Sequence, residues 1–215
     1  MTTRHLSILG LISVGVILLG MIVAWLPYQG HAGEAYWPLN HFVSELGETP
    51  QSRLAWVFNL GVLVGGSGLG LFMVLLARRL TGHYRIALTI VGAIAGVFGS
   101  LVGVFPMNIH PVHGLVSGIF FLTGWIVASI VSTWILARRH PSLPRWLLVP
   151  GAINVTVSLA FVAVYSTYKP DNPSGPIANR PDGLWAVTAL EWASLLTLLA
   201  WFVCVSIALL HDSTD

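Results

Sequence analysis

A chain of 215 residues that is 55% hydrophobic and only 8% charged, with a mean hydropathy of +0.81, has too little polar surface to fold with water as its main solvent. Its formal net charge of +2 offers no basic face of the kind nucleic acid requires, so no nucleic-acid partner is expected. A single cysteine, Cys204, excludes a disulfide within the chain and a thiolate metal cluster.

Apolar runs of roughly 20 to 26 residues recur along the whole length, each enough to cross a hydrocarbon core of about 30 Å at a rise of about 1.5 Å per residue. The first is predicted over residues 6–28. Its basic start "MTTRH" and the small residues of "HAGEA" also suit a cleaved signal. An apolar stretch of about 23 residues exceeds a signal core of about 7 to 15, however, and a spanning helix fits better. The following connection contains "NHFVSELG", residues 40–47, read as a short helix ended by Gly47 that presents His41 and Glu45 on one face. Ser44 is either the cap of that helix or, beside His41 and Glu45, a nucleophile.

The second span is predicted over 54–77, with Arg53 just ahead of it and Asn59 five residues inside. The third, 86–107, carries Gly92, Gly96, Gly99 and Gly103 at alternating spacings of four and three, one smooth strip along the helix. Gly61, Gly65, Gly66 and Gly70 repeat the pattern in the second. Close helix packing is the plain reading of both strips, and a substrate groove is the alternative. "FPMNIHPVHG", residues 105–114, is broken by Pro106 and Pro111 and leaves His110 and His113 at the mouth of the bundle.

A fourth span over 115–137 and a fifth over 147–167 follow, the latter with Asn154, Thr156 and Ser158 suited to bonding between helices. "KPDNPSGPIANRPDG", residues 169–183, is rich in proline and glycine and reads as an irregular loop and candidate lid. The sixth span, 185–210, has Glu191 six residues inside it, about 9 Å below the boundary. Most of the nine tryptophans lie near span ends, as an aromatic belt would. The expected architecture is therefore all-α, a single transmembrane domain of six helices over residues 1–215.

Orientation follows from the basic residues. Arg4, Arg78, Arg79, Arg85, Arg138, Arg139 and Arg145 fall on one side, whereas Arg53, Lys169 and Arg180 fall on the other. The positive-inside rule makes the first side, with both termini, cytoplasmic in the plasma membrane (the inner membrane where there are two). His31, His41, His110, His113, Glu34, Glu45 and Glu48 then gather at the outer face, and His5, His83, His140 and His211 lie beside arginines at the inner one. An acid at the depth of Glu191 costs at least a few kcal/mol unless it meets water or a partner, and Asn59 is at a comparable depth to donate to it.

Two readings suit this group. His41, His110 and His113 with Glu45 and Glu191 are nitrogen and oxygen ligands of the kind zinc uses, and a metal-bound water with Glu45 or Glu191 as base would hydrolyse a lipid or small amphiphile. The same residues also satisfy one another as a hydrogen-bonded cluster without metal, in a non-catalytic accessory subunit of a larger membrane complex.

"NHFVSELG", "VFNLG" (57–61), "GVFPMN" (103–108) with a histidine after it, and a glutamate in the last span occur in that order. The chain thereby resembles the uncharacterised prokaryotic membrane family called domain of unknown function nine-nine-eight. More distantly it is similar to the Frag1/DRAM/Sfk1 group of six-helix proteins. The resemblance covers about residues 6–210, and its matching positions are Ser44, Glu45, Asn59, Phe105, Pro106, His113 and Glu191. It implies a six-helix bundle with a site at these positions, and the distant group implies a link to membrane lipid. The family pattern has an arginine after the last-helix glutamate where this chain has Trp192, so His110, His113 or Arg53 becomes the expected partner of Glu191.

Overall fold

The computed structural model describes residues 2–30, 32–49, 51–138, 143–168 and 183–211. The expected lid over 169–183 thus lies outside the described residues except for Gly183, as do His31, Arg139, His140, Lys169 and Arg180. The architecture is all-α. Among the described residues six α-helices follow in order: α1 Thr3–Trp25, α2 Ala55–Leu76, α3 Gly82–Val104, α4 Val112–Ala137, α5 Leu148–Thr167 and α6 Ala186–His211. Short 3-10 turns occupy Val43–Gly47, Ala77–Arg79 and Arg145–Leu147. All six helices are long and apolar enough to cross a membrane, and the chain is an integral, multi-pass membrane protein.

The helices α3 and α4 are displaced from their expected bounds by three or four residues. Phe105 precedes a proline and leaves helical geometry, with φ −113° and ψ 84°, so α3 ends at Val104 instead of running to 107. Helix α4 begins directly after Pro111, a residue with no N–H to lose at a helix start.

Each helix packs on the next in the chain, and α6 returns against α1 to close a ring. A few residues of α4 and α6 also meet, which leaves α5 on the outside of that pair. The glycine strips explain how closely the ring shuts. A methyl group built on Gly70 would stand 2.8 Å from Cα of Gly96, one on Gly61 3.1 Å from the carbonyl of Val16, and one on Gly103 would run into the backbone of Asn59. No side chain fits at these contacts, so α1, α2 and α3 touch backbone to backbone.

One end of the ring carries the connection from α1 to α2 and the connection from α3 to α4, joined by bonds from Thr49 to Asn108. It is called the capped end below. At the opposite, terminal end, Arg79 donates to Thr3 Oγ1 at 2.8 Å. Trp25, Trp37, Trp56 and Trp146 are exposed, as a belt position requires, whereas Trp134, Trp192 and Trp201 are buried in the bundle.

Candidate functional site

The connection between α1 and α2 is held down by its own acid and by α6. Glu45 starts the 3-10 turn Val43–Gly47: the N–H of Phe42 donates to its Oε1 at 2.7 Å, and the Tyr28 hydroxyl donates to Oε2 at 3.2 Å. Capping is therefore the work of Glu45, and Ser44 does not perform it: the Ser44 hydroxyl donates to Met107 Sδ at 3.5 Å. From α6, Glu191 Oε2 accepts the N–H of Val43 at 2.6 Å. Its neighbour Trp192 donates through Nε1 to the Tyr36 hydroxyl at 3.0 Å and to the carbonyl of His41 at 3.2 Å. Tyr36 in turn donates to the carbonyl of Phe42 at 2.8 Å. Burial, reinforced by the charges of Glu45 and then Glu191, raises the Tyr36 hydroxyl well above its ordinary pKa, which keeps it a donor. From α2, Asn59 Nδ2 donates to the carbonyl of Gly47 at 3.0 Å.

Beneath this cap is a cavity of about 70 Å³. Glu191, Leu195, Leu198, Leu199 and Phe202 line it along α6, a helical stripe that descends about 16 Å toward the terminal end. Helix α4 adds His113, Ser117, Phe120, Phe121, Gly124 and Val127, and α2 adds Phe58, Val62, Leu69 and Met73. Gly96 and Gly99 form part of the α3 wall, so the glycine strip serves both packing and cavity. The polar lining side chains, among the described residues, are Ser44, His113, Ser117 and Glu191, all near the capped end. His113 Nδ1 is 2.7 Å from the carbonyl of Phe105, and the Ser117 hydroxyl donates to the carbonyl of His113 at 2.8 Å.

Of the residues singled out in the sequence, Ser44, His113 and Glu191 come together on the cavity wall. Glu45 and His41 are buried next to it, at 2% and 1% exposure, but belong to the packing of the cap. The His41 ring sits 4.9 Å from that of Tyr36 and 5.6 Å from that of Tyr28, with Nδ1 2.7 Å from Asn40 Oδ1 and Nε2 3.7 Å from Glu34 Oε1. His110 and Arg53 are exposed. Neither is the partner of Glu191, and nor is Asn59; the N–H of Val43 takes that place. No three His, Cys, Asp or Glu side chains are placed to hold a metal ion among the described residues, so the expected zinc ligands His41, His110 and His113 do not form one set there.

Sequence reasoning missed Tyr28, Tyr36 and Trp192. A usable sign was present for Trp192, which lies seven residues into α6 and too deep for a belt position. The model of a family described as "Protein of unknown function (DUF998)" matches residues 11–208, nearly the whole bundle. No curated protein and no solved structure matches the chain.

Proposed function

This chain belongs to the DUF998 family of proteins of unknown function, and from that premise we propose that it binds an amphiphile, with the apolar part inside the helix ring and the polar head at Glu191, His113 and Ser44. One observation carries the reading: an almost wholly apolar cavity lies within the helix ring, with Ser44, His113, Ser117 and Glu191 among the residues at its capped end. An apolar cavity of this kind suits an apolar chain, and the few polar residues at its capped end suit the head attached to it. The capped end faces the extracytoplasmic side of the plasma membrane, because Arg4, Arg78, Arg79, Arg85, Arg138 and Arg145 fall at the terminal end.

The proposal stops at binding. A serine nucleophile needs a base within hydrogen-bond reach, and the Ser44 hydroxyl is directed to a thioether. Glu45 is engaged by Phe42 and Tyr28, which suits a cap better than a general base.

The test is mass spectrometry of the protein extracted from its membrane in a mild detergent, beside a Leu195→Trp variant that fills the cavity. A lipid-like molecule should accompany the wild type at about one per chain and be lost from the variant, whose Tm should be equal or higher because a filled void adds contacts. Wild-type protein that retains no amphiphile, or a variant that retains it equally, would end the proposal.

A further inference from the structure

The cavity is shut at one end by packing and at the other by a cap with one weak edge. Its deepest lining residues include Phe202 on α6, Met73 on α2 and Val127 on α4. Beyond them toward the terminal end, Leu6, Leu76, Leu88, Val131, Val205 and Leu209, from α1, α2, α3, α4 and α6, belong to one buried cluster, each 3% exposed or less. Side chains packed to that density leave no passage.

At the capped end the cover is fastened unevenly. Toward α6 it is clasped along two turns: the N–H of Trp185 donates to the carbonyl of Leu39 at 2.7 Å and the Thr188 hydroxyl to the same carbonyl at 3.0 Å. Glu191 and Trp192 add their bonds to Val43, Tyr36 and His41, and Asn59 holds Gly47 from α2. Toward the α3–α4 connection the bonds are poorer. The Ser44 hydroxyl reaches a thioether, a weak acceptor, and the bonds from Thr49 to Asn108 are exposed to competition from water. Met107 meets the Phe42 cluster with an unbranched side chain that repacks readily. The turn Val43–Gly47 packs on α1, α2 and α6, and far less on α3 or α4. The walls share this asymmetry. Val102, Ser117, Phe120 and Phe121 on α3 and α4 are half-buried, as is Ser44, whereas of the lining from α1, α2 and α6 only Val62 and Leu195 are not fully buried.

We infer that the amphiphile enters and leaves through the seam between Ser44 and Met107, where the α3–α4 connection moves away from the cap, while the cap stays on α6 and the terminal end stays shut. The inference rests on the binding reading above and adds the route. Opening the seam gives up a thioether bond and bonds that water replaces. Lifting the cap from α6 would strip buried N–H and C=O groups of their partners, which costs far more. The site therefore loads and unloads at one face of the membrane, and the bundle receives a molecule from that leaflet without passing it across.

The experiment uses the full chain with Cys204→Ala in nanodiscs, loaded with hexadecanol, whose exchange against deuterated hexadecanol is followed by mass spectrometry. A Thr49→Cys/Asn108→Cys pair joined by a short bis-methanethiosulfonate ties the seam, and a Leu39→Cys/Leu184→Cys pair ties the cap to α6; all four positions are exposed. Tying the seam should slow exchange at least roughly tenfold, with recovery on reduction of the link, and tying the cap to α6 should leave the rate unchanged. Free exchange in the seam-linked protein, or equal slowing by the α6 link, would overturn the route while leaving amphiphile binding intact. Hexadecanol that loads into no form of the protein would remove the binding reading and this inference together. Should a cysteine pair not fold, hydrogen exchange of the unmodified chain decides. The Val43 and Trp185 amides should stay protected while that of Thr49 exchanges at least roughly tenfold faster, and Val43 exchanging as fast as Thr49 would overturn the fixed cap.

Discussion

Trp192 shows how much one side chain in α6 does for the connection forty residues from the other end of the chain. Its indole N–H reaches both the Tyr36 hydroxyl and the carbonyl of His41, and its ring packs 6.0 Å from that of Tyr36. Trp192→Phe keeps an aromatic ring and removes the donor, so it should cost about 1 to 2 kcal/mol, read as a lower Tm in detergent. An unchanged Tm would mean that the cap does not depend on these bonds. Tyr36 permits a test in pH. Its folded pKa lies above the ordinary value of 10.0, so its contribution to stability is complete below about pH 10 and falls as pH rises from there toward the folded value. Tyr36→Phe cannot ionise and should lack that part of the alkaline decline; identical alkaline profiles for the two proteins would contradict the assignment.

Among the elements, α2 and α3 depend on residues that contribute no side chain. Gly70 and Gly96 face each other at backbone contact, so Gly96→Val should drive the helices apart and cost upwards of about 3 kcal/mol. Gly118 in α4 has open space where a Cβ would stand, and Gly118→Ala should be neutral or stabilising by about 0.5 to 1 kcal/mol. Thermal unfolding of the pair separates glycine used for contact from glycine that is merely present; equal effects would sink the packing account. The 3-10 turn Val43–Gly47 follows the same logic in the loop. A methyl on Gly47 would collide with Asn59 and Phe58, so the turn lies flat on α2 only because that position has no side chain.

At the scale of the whole molecule, the bundle is a ring around an apolar cavity, covered at one end by a folded connection. Which way that end points is open to direct measurement. With the native Cys204 replaced by alanine, a cysteine at exposed Thr49 should react on intact cells with a membrane-impermeant maleimide, while one at exposed His83 should react only after lysis. The reverse pattern would invert the orientation assigned from the arginines and place the capped end on the cytoplasmic side.

Six spans and the membership of the chain in its family were legible along the sequence, because hydropathy is summed over local windows and short motifs keep their order whatever the fold does. The interest of Glu191 was legible for the same local reason, an acid within an apolar run. Its partner was not. The N–H of Val43, the indole of Trp192 on Tyr36, and Asn59 on Gly47 are pairings between segments far apart in the chain, and no window or spacing contains both members. Tertiary structure alone decided that His113 and Ser44 line a cavity while His41 and Glu45 serve its cap, since which side of a short turn meets a void depends on how the surrounding helices close upon it.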